Sequence, residues 1–109
     1  MNKMLVAAVL AAPLAAAAEV ENYVIDPYHT VPYFEVNHLQ TATMRGRFDR
    51  ATGKFSIDRA AKAGSVELEI PTATVNTVDT DRGQRPRTRD EHLKNADFFN
   101  VQEFPTMCF

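Results

Sequence analysis

The chain contains one cysteine, Cys108, among 109 residues. No internal disulfide can form, so the fold must stand on packing. There is no surplus of positive charge: 12 Lys and Arg stand against 14 Asp and Glu, for a net charge of -2. That excludes a general nucleic-acid binder, whose phosphate contacts need a basic excess. No Gly-rich phosphate loop, nucleophile elbow or Cys-x-x-Cys pair is present, so no catalytic motif points to an enzyme. No internal repeat, low-complexity tract or linker divides the chain, and its length suits one domain. No apolar run reaches the roughly 20 residues that a membrane-crossing helix needs.

The longest apolar run, Met4 to Leu14, follows Lys3 and precedes Ala16-Ala17-Ala18. A short positive start, an apolar stretch and a small-residue site are the marks of a secretory signal peptide. The pattern predicts a signal over 1–18, cleaved before Glu19, and one domain over 19–109 with no transmembrane anchor. Export leads to an oxidising compartment, where Cys108 is expected to face the core or a partner rather than act as a nucleophile.

What the chain does have is alternation. Phe34, Val36 and His38 fall on one side of a strand, with Tyr33, Glu35 and Asn37 on the other. Met44, Gly46 and Phe48 oppose Arg45, Arg47 and Asp49. Phe55 and Ile57 oppose Lys54, Ser56 and Asp58, and Val66, Leu68 and Ile70 oppose Ser65, Glu67 and Glu69. Successive side chains on a strand point to opposite faces, so the pattern predicts antiparallel strands with one apolar and one wet face. Strands are expected over 21–26, 29–39, 43–49, 54–58, 65–70, 73–77 and 106–109. Pro32 places the second at an edge or a bulge. Gly53 closes a turn at 51–53 that reads as a hairpin between 43–49 and 54–58. The fold class is therefore mainly β, an antiparallel meander with one short helix. That helix is predicted over 89–95, with Thr88 as its cap and Glu91 completing a capping box. It leads into Phe98, Phe99, Val101 and Phe104, a group expected to avoid water. The polar stretch 79–89 reads as a solvated loop or, through Arg82, Arg85, Arg87 and Arg89, as an anion-binding rim.

His29, His38 and His92 do not have metal-ligand spacing. An odd separation puts His29 and His38 on opposite faces of a continuous strand. Asp26, Asp90, Glu91 and Asp97 lie near turns or caps, where acidic residues have an electrostatic reason to be. No catalytic set and no metal site is expected.

Several motifs together resemble the YceI-like family of bacterial polyisoprenoid-binding proteins. They are Tyr23-Val24-Ile25-Asp26, His29-Thr30, Phe34-Glu35-Val36-Asn37-His38 and Arg45-Gly46-Arg47-Phe48, then Gly53, Phe55, Ile57-Asp58, Ser65-Val66 and Ile70. The most distinctive part is Arg89-Asp90-Glu91-His92-Leu93-Lys94, followed by Asp97-Phe98-Phe99 and Phe104-Pro105. The resemblance implies a lipocalin-like eight-stranded barrel in the periplasm, with a tunnel that holds an isoprenoid or quinone-like lipid and no other cofactor. It implies a tunnel lining of Phe34, Val36, His38, Met44, Phe48, Phe55, Ile57, Val66, Leu68, Ile70, Phe98 and Phe99. His38, Arg89 and His92 are the expected contacts of a polar head group. Family members are about twice as long, and the predicted strands number fewer than the eight of a closed small barrel. The barrel is therefore expected to be incomplete in this chain, with open edges that leave dimerisation available. Two other classes compete with the carrier. One is a small periplasmic hydrolase-like enzyme using Asp90, His92 and a further carboxylate; the other is a non-catalytic interaction module whose edge strands pair with a partner chain.

Overall fold

A computed structural model describes residues 19–109. The expected signal peptide, 1–18, lies outside the described residues. Seven strands and one helix follow in order: β1 (Val20–Val24), β2 (Tyr33–His38), β3 (Ala42–Phe48), β4 (Thr52–Asp58), β5 (Ala63–Pro71), β6 (Val75–Asn76), α1 (Arg89–Leu93) and β7 (Thr106–Cys108). They form two antiparallel sheets, ordered β1-β4-β5-β7 and β2-β3-β6. Among the described residues the sheets do not close into a barrel. No helix there is long and apolar enough to cross a membrane.

The alternation sets the register. In the three-stranded sheet Phe34 stands opposite Gly46, and Val36 opposite Met44. In the four-stranded sheet Tyr23 and Val66 flank Phe55, and Gly53 meets Leu68. Directly opposed residues share a face, so each sheet has one apolar side. The run of four alternating strands becomes two hairpins, β2-β3 and β4-β5, in different sheets. The link between them, Asp49 to Ala51, carries the chain from one sheet to the other. Ala51 is fully buried at this crossing, where the sequence suggests a hairpin turn; β3 and β4 instead lie in different sheets, and Gly53 pairs within β4. With Phe48, Ile70 and Val75, Ala51 forms the core, against which Phe34, Leu68, Leu93, Phe99 and Met107 pack.

Most predicted bounds shift by one or two residues, and three of the changes have a visible cause. The second strand starts at Tyr33 rather than His29, because Asp26 holds the preceding segment in a turn. Its carboxylate accepts the Tyr28 N–H at 2.8 Å and contacts His29 Nδ1 at 2.6 Å. Pro27 and Pro32 also withhold ladder donors on either side of it. The strand expected over 73–77 shrinks to β6, because residues 72–74 form a 3-10 turn. There the buried Thr72 hydroxyl donates to the Phe104 carbonyl at 2.6 Å. The helix ends at Leu93, two residues early, yet both capping-box bonds form. Thr88 Oγ1 accepts the Glu91 N–H at 3.1 Å, and the Thr88 N–H donates to Glu91 Oε2 at 2.7 Å.

Burial is less even than the alternation implies. Phe48 is 4% exposed, but Val66, on the apolar side of the other sheet, is 57% exposed. Phe98 and Phe104, expected to avoid water, are also mostly exposed.

Candidate functional site

A cleft of 490 Å³ lies between the apolar side of the three-stranded sheet and the helix region. Strand periodicity puts Phe34, Val36 and His38 of β2 on its wall, with Met44 of β3, and Arg45 borders it. Helix periodicity does the same for Arg89, His92 and Leu93, spaced i, i+3 and i+4 on one side of α1. Thr77, Phe98 and Phe99 complete the lining. An aromatic set lies beneath. Phe99 meets Phe48 edge-on at 5.3 Å and Phe34 at 6.3 Å between ring centroids. Such T-shaped pairs suit the ring quadrupoles. Gly46 makes this arrangement possible. A Cβ at that position would lie 2.3 Å from the tip of the Phe34 ring. The missing side chain leaves room for the tip of the ring over β3.

One wall of the cleft is polar and tightly organised. Arg89 Nε donates to Thr77 Oγ1 at 2.8 Å, and its Nη2 donates to the Thr77 carbonyl at 3.0 Å. Thr77 in turn donates its N–H, at 2.9 Å, and its hydroxyl to Asp90 Oδ1. Asp79 accepts the Arg89 main-chain N–H at 2.6 Å and both terminal nitrogens of Arg85, at 2.9 and 2.8 Å. The Arg85 fork, followed by the Arg89 N–H, holds the Asp79 carboxyl down at about 2. Val78, between Thr77 and Asp79, has φ +61°. That conformation is strained for a β-branched residue and persists only where the surroundings enforce it. Here both neighbours are bound to the start of α1, and the Val78 N–H donates to Asn76 Oδ1 at 2.8 Å.

His92 is held differently. Its Nε2 donates to Asp97 Oδ2 at 3.0 Å, and its ring meets Phe98 edge-on at 4.8 Å. The ionised carboxylate can only accept, so Nε2 carries the proton. Asp90, engaged by Thr77, is not hydrogen-bonded to His92. No hydroxyl or thiol is hydrogen-bonded to His92 among the described residues, so an activated nucleophile is not assembled there. No three His, Cys, Asp or Glu side chains converge among the described residues.

Of the residues expected to line one tunnel, the structure brings Phe34, Val36, His38, Met44, Phe98 and Phe99 to this cleft, with Arg89 and His92. It places Phe48 and Ile70 in the core and Leu68 against it. Phe55, Ile57 and Val66 lie on the four-stranded sheet, away from the cleft. They share a face with Tyr23, whose ring stacks on Phe55 at 4.8 Å. A single continuous tunnel through all twelve residues is not formed among the described residues, because the two hairpins lie in different sheets. Arg45, Thr77 and Leu93 line the cleft although sequence reasoning passed over them. Leu93 was within reach, since it lies four residues after Arg89 on the predicted helix. Thr77 was not, because only the turn at Val78 swings it onto α1. Arg45 belongs by alternation to the wet side, where its Nε donates to Glu35 at 2.6 Å, yet it borders the cleft.

Comparison with known proteins adds an independent result. The family model of the YceI-like domain matches residues 23–109. A UPF0312 protein of Shewanella denitrificans is 39% identical over 114 aligned positions, covering the whole chain and 56% of that relative. One from Shewanella baltica is 37% identical over 113 positions, again covering the whole chain and 56% of the relative. One from Vibrio cholerae is 35% identical over 114 positions, covering the whole chain and 57% of the relative. The chain spans a little over half the length of these curated relatives.

Proposed function

This chain belongs to the YceI-like domain family, and from that premise we propose that it binds the apolar chain of a polyisoprenoid or similar lipid in the periplasm, as a carrier or sequestering protein. The observation that carries the reading is the 490 Å³ cleft and its lining of Phe34, Val36, Met44, Leu93, Phe98 and Phe99. Its size lies within the range of small-molecule sites, which are mostly apolar with a few placed polar groups. A chain lying in it gains roughly 0.8 kcal/mol per buried methylene, so no reaction is needed to hold it. The polar groups of the wall, Arg89, His92 and Thr77, supply contacts for the head of such a molecule, and His38 borders the same space. The chain spans only part of its relatives' length, and this reading concerns the cleft alone.

Native mass spectrometry of the protein purified from the periplasmic fraction, followed by organic extraction, tests the proposal. The expected result is a mature chain starting at Glu19 with an added mass that extracts as a lipid. Protein that carries no extractable lipid, and takes up none when incubated with long-chain isoprenoids, would rule it out.

A further inference from the structure

Three large apolar side chains beside the cleft face water. Leu39 is 80% exposed, Val78 78% and Phe98 56%. They come from three separate segments, yet each belongs to the same rim. Leu39 follows His38 and Val78 follows Thr77, and those two neighbours line the cleft together with Phe98. Isolated apolar residues on a surface are common. Two of these, however, also hold a backbone conformation that disfavours them. Leu39 and Gln40, at φ +51° and +58°, are the central residues of the turn between β2 and β3, which the Thr41 N–H closes on the His38 carbonyl at 3.0 Å. A turn with two positive φ values favours Asn and Gly, and leucine has no short polar side chain to ease it. Val78 holds φ +61° against the preference of a β-branched residue. Both residues are strained and gain little burial within the chain. A position where local preference and environment both go unsatisfied points to a function outside the fold.

The segment that leaves the cleft wall at Thr77 and returns to it at Arg89 is basic. Residues 79–89 hold four Arg and two Asp, whereas the rest of the chain holds eight Lys and Arg against twelve Asp and Glu. Both of those aspartates are engaged within the segment. Asp79 pairs with Arg85, and Asp81 accepts the Gly83 N–H at 2.8 Å. Arg82 is exposed and joins no ion pair among the described residues; its guanidinium makes one long bond, 3.5 Å, to the Pro86 carbonyl. Arg87 is exposed and lies 3.8 Å from Asp97, which His92 also engages.

Exposed apolar side chains beside weakly compensated arginines suit the surface of a lipid bilayer. The former enter the acyl boundary and the latter stay among the head groups. We propose that the rim of the cleft is a membrane-docking surface. Leu39, Val78 and Phe98 enter the interface, and Arg82 and Arg87 meet anionic head groups. Docking in this orientation presents the cleft to the reservoir in which a long apolar chain resides. The inference rests on the lipid-carrier reading for the choice of a bilayer as partner, and it adds the surface by which the chain meets that bilayer.

The test is flotation of the purified chain with two kinds of vesicle, phosphatidylcholine alone and phosphatidylcholine with about one third phosphatidylglycerol. The chain should bind both, and the anionic vesicles about tenfold tighter. Leu39→Asn suits the positive φ, so the fold is kept while the apolar group is lost. Binding to both vesicles should then fall about tenfold. Arg82→Gln should weaken binding to the anionic vesicles alone, by about fivefold. Uptake of farnesol from solution, measured in parallel, reports the carrier reading separately, and both variants should match the parent in it. A chain that takes up farnesol but floats with neither vesicle would overturn this inference and leave carriage intact. Binding unchanged in both variants would overturn the placement on the rim, and equal binding to the two vesicles would overturn the role of the arginines. Vesicle binding that both variants weaken, without farnesol uptake, would uphold the docking surface and overturn carriage.

Discussion

Phe48 and Phe55 hold matching places in the sequence pattern, each an aromatic on the apolar side of an alternating strand. Their surroundings differ. Phe48 packs against the Phe34 ring at 5.6 Å and the Phe99 ring at 5.3 Å, and almost none of it meets solvent. Phe55 stacks on Tyr23 at 4.8 Å, and the Val66 opposite it is mostly exposed. The difference is the cover. The helix region, distant in sequence, lies across one sheet and supplies Leu93 and Phe99; the apolar side of the other leaves Tyr23 and Val66 exposed. Alternation therefore establishes which side of a strand is apolar. Whether that side becomes core, cleft or open surface depends on what the rest of the chain lays over it.

Replacing each ring should separate the two regions most clearly. Phe48→Ala should cost about 3–5 kcal/mol, the range for deleting a fully packed aromatic. Phe55→Ala should cost about 1–2 kcal/mol, for a partly buried ring with one stacking partner. Urea unfolding of both variants reads the contrast, and equal losses would erase it.

Gly46→Ala probes the same aromatic set from below. The new methyl group must displace the Phe34 ring towards the cleft. Overpacking of this kind costs about 1–3 kcal/mol, and the cleft should narrow with it. A variant as stable as the parent, with unchanged Phe34 ring resonances, would show that the ring does not rest on Gly46. Thr88→Ala removes the capping box and should cost about 1 kcal/mol. Hydrogen exchange should speed up in α1 and leave the β4-β5 hairpin unchanged; equal acceleration in both would mean that the helix cover and the open sheet are not independent.

The smallest effect concerns acid. The Asp79 carboxyl sits at about 2, below its ordinary 3.8. A group whose folded value is depressed stabilises the native state above its unfolded value and loses that contribution as pH falls through the folded one. The polar wall should therefore loosen between about pH 4 and pH 2. In Asp79→Asn that part of the pH dependence should be flat. A wild-type curve already flat over this interval would contradict the Arg85 and Arg89 contacts.

Much of this was legible in advance, and for physical reasons. The side-chain period of a strand is two, so the faces of β2 to β5 follow from residue order. A capping box is a contact between residues three apart, so Thr88 and Glu91 announce the start of α1. The grouping of Phe34, Val36, His38, Met44, Arg89, His92, Phe98 and Phe99 was expected from a family resemblance, and the cleft brings these residues together. The buried Ala51, the wall position of Thr77 and the strained Val78 were not legible. Each depends on a change of chain direction that no local pattern encodes.

The sequence by itself determined the faces of the strands, the capped helix and the family. These follow from interactions between near neighbours or from residue identities in order. Only the tertiary structure decided that the two hairpins part into separate sheets, that Phe48 is sealed while Val66 is open, and that Arg89 meets Thr77 instead of a carboxylate. Those outcomes depend on contacts between segments far apart in the chain, where several arrangements share one alternation and packing selects among them.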